Sequence, residues 1–240
     1  MTQVAQKQSR QLGLWQQHAP GKLLLEQEWL AIKAQVQQMG RFWVQIGGPS
    51  RDIWPLPQRV CCLRLDQEDY LEPNAHCVRV HWDDLPLRPN QVDVILLPHS
   101  LGLFHSPQHV FQELFEALAP GGRLIIIDFN KYSFWGIYHS YCSYLKKYMP
   151  AFSWKSRHSY GVGEVSRLIK KTGFTDIKTE SLFFYPPLSS QAWLQRLHWM
   201  EVMGEYCWPM QGAVYILTAI KPTNRVVWVG HCPVAIDACV

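Results

Sequence analysis

Short apolar runs alternate with polar, glycine-rich or proline-rich breaks along the first half of the chain. Five of these runs are rich in valine, isoleucine and leucine: Phe42–Ile46, Val60–Leu65, Cys77–Val80, Val92–Leu97 and Arg123–Asp128. Strands that are buried on both faces of a parallel sheet have this composition. The pattern therefore predicts five strands that lie side by side in one buried sheet.

Helical periodicity appears before and between these runs. An N-terminal helix is predicted over 22–39, and a second begins after Ser106 and Pro107, which suit an N-cap and a first helical residue. The turn Ala119–Gly122 ends that helix and leads into the fifth strand. Strand, helix, turn and strand at this spacing form a βαβ unit, which predicts parallel strands joined by a right-handed crossover.

The second half predicts further helices and strands. Helices are expected over 135–148, 163–171 and 190–206, and strands over 176–184 and 213–220. The whole pattern predicts one α/β domain over 1–240: a Rossmann-like, doubly wound, mostly parallel seven-stranded sheet with helices on both faces. Its core spans about 40–220, and the pattern does not place the tail 222–240.

Composition and charge narrow the possible partners. Residues 141–180 hold eight basic residues and three acidic ones, a local net charge of +5, which suits either a solvated face or a docking surface for an anionic substrate or membrane. The seven cysteines form no CxxC pair and the first residues are polar and rich in glutamine, so we expect a reducing, cytoplasmic location. No apolar run approaches the roughly 20 residues that span a bilayer.

Three stretches resemble the class I S-adenosylmethionine (SAM)-dependent methyltransferases, especially their type 11 methyltransferase domain. They are Asp83–Leu87 followed by Gln91–Ile95, then Leu97–Leu101, and then Leu118–Leu124 with its Pro-Gly-Gly turn. More narrowly, 97–99, 128–130 and 133–136 are similar to a bacterial branch of the family whose glycine loop is degenerate. The resemblance implies SAM as cofactor and S-adenosylhomocysteine as product.

An open parallel sheet binds ligands beyond the carboxyl ends of its strands, where the strand order reverses. Gly47 and Gly48 would allow close approach of the backbone to the cofactor, and Asp66 lies at the spacing of a carboxylate that accepts hydrogen bonds from ribose hydroxyls. Asp83 or Asp84 would bind the adenine amino group. The expected cofactor-binding residues are Gln45, Gly47, Gly48, Asp66, Asp83, Asp84, Leu85, Pro98, His99 and Ser100.

The methyl acceptor is not readable from the sequence, although we expect a small or lipid-like molecule. His99 is the candidate catalytic base, by its position and its ordinary pKa range. Asn130, Tyr132 and Ser133 follow the fifth strand and are candidates for the acceptor pocket. A nucleic-acid acceptor is not supported, since the chain has no base-methylation motif of the Asn-Pro-Pro-Tyr type.

One stretch departs from the family pattern. The family expects an acidic residue at the start of a loop with three glycines that leads into a helix, whereas Gln45 precedes Gly47 and Gly48 here, and prolines follow. The alternative to an enzyme is therefore a catalytically inactive methyltransferase-fold protein that works as a binding partner or scaffold.

Other enzyme classes are poorly supported. His105 and His109 straddle a helix start without a cysteine or acidic cluster at ligand spacing, so no metal site is predicted. The dinucleotide fingerprint Gly-x-Gly-x-x-Gly and the serine hydrolase motif Gly-x-Ser-x-Gly are both missing.

Overall fold

The computed structural model describes residues 19–36, 40–48, 61–66, 77–80, 85–138, 160–186 and 196–223. Within these ranges the strands are β1 (Phe42–Ile46), β2 (Cys61–Asp66), β3 (Cys77–Arg79), β4 (Val92–Pro98), β5 (Leu118–Phe129), β6 (Thr175–Leu182) and β7 (Val214–Ile220). The helices are α1 (Ala19–Val36), α2 (Pro107–Ala117), α3 (Val162–Thr172) and α4 (His198–Cys207).

The strands of the described residues form one sheet in the order β3-β2-β1-β4-β5-β7-β6. The first five in that order are parallel to one another, and β7 is antiparallel to both β5 and β6. The Rossmann-like α/β prediction is thus confirmed, with a mixed sheet. Strand addition reverses between β1 and β4, so the carboxyl ends of these two strands form the switch point.

The side chains of β5 alternate between two buried clusters. Leu124 and Ile126 pack on one face with α2 and α3, while Ile125 and Ile127 pack on the other face with α1. Since both faces of the sheet are covered, the central strands have continuous apolar sequences instead of alternating ones.

Some boundaries differ from those predicted. The helix predicted over 22–39 is described over Ala19–Val36, and the one predicted over 190–206 over His198–Cys207. β5 begins at Leu118, because the Pro-Gly-Gly segment pairs with the chain after β7: Gly121 N donates to Lys221 O (2.9 Å). A short helical segment begins at Phe134, and the rest of the helix predicted over 135–148 lies outside the described residues beyond 138, as does the tail from 224.

No helix in the described ranges is both long and apolar enough to cross a membrane.

Candidate functional site

The loop after β1 contacts the end of β4. Gly47 and Gly48 both have positive φ angles, 68° and 82°, which glycine adopts without strain. A Cβ atom at Gly48 would overlap the Pro98 side chain, so the two segments meet closely. The structure therefore brings the glycine turn and the end of β4 together at the switch point.

The side chain of Gln45 is hydrogen-bonded to this turn. Its side chain is buried, and its Nε2 donates a hydrogen bond to the Gly47 carbonyl (2.9 Å), while Gly47 N donates to Leu65 O on β2 (2.9 Å). An ionised carboxylate has no hydrogen to donate to a carbonyl. Gln45 thus makes a hydrogen bond to the turn that the ionised acidic residue of the family pattern could not make in this conformation.

His99 follows β4 directly and contacts both β5 and α1. Its backbone lies in the left-handed region (φ 51°), and its N donates to Ile127 O (2.7 Å). Its Nε2 lies 3.0 Å from Oε1 of Glu28 on α1, and both side chains are fully buried. The Phe129 ring lies 4.5 Å from the imidazole, between centroids. His99 and Glu28 therefore form a buried acid–base pair between the sheet and the N-terminal helix.

Asp128, near the end of β5, adds a third titratable group. Burial raises the pKa of the Asp128 carboxyl to about 6, although the charge of His99 and the hydrogen bond from Phe129 N lower it. Burial by itself lowers the pKa of His99, but the charge and hydrogen bond of Glu28 and the charge of Asp128 outweigh it, and the pKa is raised. Glu28 and Asp128 therefore both favour the protonated form of the His99 imidazole.

Several buried polar atoms at this edge lack hydrogen-bond partners among the described residues. They are Oε2 of Glu28, Oγ of Ser100 and Oη of Tyr215. Ser100 follows His99 in the chain, and Tyr215 is paired with Asp128 across β5 and β7. Buried polar groups in folded proteins are usually hydrogen-bonded. Polar atoms of a ligand at this edge would supply the missing hydrogen-bond partners.

The candidate acceptor residues fix the turn after β5. Asn130 Nδ2 donates to Met210 O (2.8 Å), and its Oδ1 accepts from Tyr132 N (3.1 Å). Ser133 Oγ donates to Asn130 O (2.6 Å) and accepts from Gly136 N (3.0 Å), so that it caps the helical segment that follows. Asn130 and Ser133 are buried, whereas Tyr132 is 64% exposed.

The remaining candidate residues are only partly described. Asp66 is the last residue of β2, which pairs with β1. Leu85 is buried in the core cluster on the α2 face. Asp83 and Asp84 lie outside the described residues.

The chain is similar to known methyltransferases in part of its sequence and in its fold. Residues 52–126 match the methyltransferase domain family. A SAM-dependent methyltransferase of Thermotoga maritima, described as a possible histamine N-methyltransferase, is similar with a TM-score of 0.62 and 16% identity, over 82% of this chain and 89% of that one. The chain has the fold of the class I SAM-dependent methyltransferases. Phosphoethanolamine N-methyltransferase 2 of Haemonchus contortus, solved with SAM, matches with a TM-score of 0.52 and 17% identity, over 82% and 53%.

A methyltransferase is also found among sequence relatives. Demethylmenaquinone methyltransferase of Bacillus cereus is 24% identical over 141 residues, which are 53% of this chain and 56% of the relative. The chain thus spans about half the length of the curated relatives that it matches.

Glu28, the partner of His99, is a residue that the sequence analysis did not single out. It lies four residues after Leu24 and four before Ile32, and all three side chains are fully buried. Residues four apart share one face of a helix. A carboxylate in the middle of an apolar helical stripe was the available signal, because a buried charge needs a partner.

Proposed function

We propose that this chain binds SAM at the carboxyl ends of β1 and β4 and transfers its methyl group to a small, apolar or lipid-like acceptor. The observation that carries the proposal is the contact between the Gly47–Gly48 turn and the end of β4, next to the buried pair of His99 and Glu28. The fold and the methyltransferase domain match support it.

Each strand end would hold one part of the cofactor. Gly47 and Gly48 would face its amino-acid end, and Asp66 would accept hydrogen bonds from the ribose hydroxyls. Asp83 or Asp84 and the backbone of Leu85 would bind adenine, while Pro98, His99 and Ser100 would line the end nearest the methyl group. When bound, SAM supplies a methyl group on a sulfonium, which is open to in-line attack.

The chain itself would align the acceptor and manage its proton. A bound acceptor at this edge would be shielded from water, and alignment of a nucleophile with the methyl group supplies much of the rate in such a transfer. His99 would take the proton if the acceptor loses one. Asn130, Tyr132 and Ser133 would shape the acceptor side, the first and last by holding the turn and Tyr132 by direct contact.

Exposed apolar side chains in the segment after that turn and on α4 support an apolar acceptor. Phe134 and Ile137 are 47% and 60% exposed in the helical segment after it, and Trp199 and Tyr206 on α4 are 56% and 82% exposed. The relative from Bacillus cereus acts, by its name, on demethylmenaquinone. A short-chain demethylmenaquinone is therefore the first acceptor to test.

The test is transfer of label from methyl-labelled SAM to this quinone, followed by organic extraction. We expect labelled product, and a His99→Gln variant that is slower by about 100-fold, the lower range for loss of a general base. His109→Gln, at an exposed histidine, is the matched control. SAM binding without transfer would contradict the quinone as acceptor, and loss of both would favour the non-catalytic role.

A further inference from the structure

We propose that Glu28 is a positioning residue: it fixes the ring orientation and tautomer of His99, so that Nδ1 is the nitrogen that exchanges the proton of the acceptor. The catalytic part of this inference rests on the proposed function, whereas the part that concerns the imidazole can be tested without any activity.

The hydrogen bond itself sets the tautomer. Oε1 of Glu28 lies 3.0 Å from Nε2 of His99, in a place where neither side chain is exposed to solvent. An ionised carboxylate only accepts, so Nε2 must carry the hydrogen, and in the neutral ring Nδ1 then carries the lone pair. The same logic governs histidines that are oriented by a carboxylate behind them.

Helix α1 holds the carboxylate in place. Leu24 and Ile32, one turn to either side of Glu28, are fully buried against the sheet, and Leu25 is 3% exposed. A carboxylate enclosed in this way cannot turn to water without undocking the helix. The position of His99 is therefore coupled to the docking of α1, a segment far from it in sequence.

Among the described residues, two carboxyl groups act on His99, and they come from two elements. Glu28 comes from α1 and makes the direct hydrogen bond, while Asp128 on β5 acts by its charge and accepts its own hydrogen bond from Phe129 N (2.8 Å). Of these two carboxylates, Glu28 is the one that hydrogen-bonds a ring nitrogen, so it favours one tautomer over the other. Replacement of Glu28 should change both the tautomer and the pKa of His99, and replacement of Asp128 only the pKa.

Nuclear magnetic resonance of ¹⁵N-labelled histidine gives the direct test. The His99 signals are assigned by their loss in His99→Gln. In the wild type we expect the Nε2–H tautomer when the ring is neutral. In Glu28→Gln the pKa of His99 should fall by about one unit or more, because a nearby opposite charge is removed, and the tautomer should become mixed.

Glu26→Gln is the matched control, since Glu26 lies exposed on the same helix; it should leave the His99 signals unchanged. Glu28→Asp is the second variant, in case Glu28→Gln fails to fold; the shorter carboxylate should restore part of the wild-type pKa. Unchanged His99 signals in folded Glu28→Gln or Glu28→Asp would overturn the proposal, whether or not the protein methylates anything.

The kinetic test separates positioning from stability. In Glu28→Gln, kcat should fall and the rising limb of its pH profile should move to lower pH, with little change in KM for SAM. An equal loss at every pH, without movement of the limb, would overturn the positioning role. Failure of the proposed function would instead appear as a wild type that binds no SAM while its His99 signals remain as predicted.

Discussion

Among single residues, Gly48 combines two steric constraints at the proposed cofactor edge. Its φ of 82° suits glycine, and a side chain would enter the space of Pro98. Gly48→Ala should therefore destabilise the protein by about 1–3 kcal/mol, the usual cost of a strained backbone position. It should also weaken SAM binding. Urea denaturation measures the first effect and calorimetry the second.

Gly163→Ala is the control for this substitution. Gly163 lies in α3, and a Cβ there would meet no atom within 4 Å. Alanine at such a position reduces the entropy of the unfolded chain, so this variant should be as stable as the wild type or up to about 1 kcal/mol more stable. Equal stabilities of the two variants would contradict the close contact between Gly48 and Pro98.

Asp128 makes the stability depend on pH. Its folded pKa of about 6 is raised from 3.8, so its contribution is fully present below the unfolded pKa and is lost as the pH rises through about 6. The loss amounts to at most about 3 kcal/mol, given about 1.4 kcal/mol for each unit. Asp128→Asn should flatten the denaturation free energy between pH 4 and 6, the range between its unfolded and folded pKa values. Asp176→Asn, at an exposed carboxylate, should leave the wild-type slope, and a persistent slope in Asp128→Asn would refute the assignment.

The sequence predicted the positions of some site residues and missed the partner of His99. Gly48 and Pro98 follow strands with clear apolar patterns, so their meeting at one sheet edge could be anticipated from topology alone. The contact between Glu28 and His99 joins residues 71 apart in the chain. No local pattern specifies such a pairing, because it depends on the rotation with which α1 docks on the sheet.

At the scale of elements, α1 packs against the sheet through buried side chains that include Leu24 and Ile32. Glu28, between them on the same helix, contacts His99. Ile32→Ala should cost about 2–4 kcal/mol, as truncation of a buried isoleucine leaves a cavity. Leu30→Ala, at a residue 65% exposed on the same helix, should change the free energy of unfolding by less than about 0.5 kcal/mol. Chemical denaturation of both variants is the measurement, and similar values for the two would mean that α1 is not docked as described.

Element types were predicted better than element directions. The strands β1 and β4 have bounds within one residue of the apolar runs that predicted them. The antiparallel direction of β7 could not be predicted in the same way. An apolar run such as Val214–Ile220 has the same composition whether the strand lies parallel or antiparallel to its neighbours. Direction follows from the connection between β6 and β7, which carries no simple signature.

For the whole molecule, we propose that the sheet assembles a SAM site from segments that are distant in sequence. The turn after β1, the end of β4 and helix α1 meet there, although the glycine loop departs from the family pattern at Gln45. Isothermal titration of the folded wild-type protein with SAM and S-adenosylhomocysteine tests this claim most directly. We predict saturable binding of both in the micromolar range, and no heat of binding at millimolar ligand would contradict it.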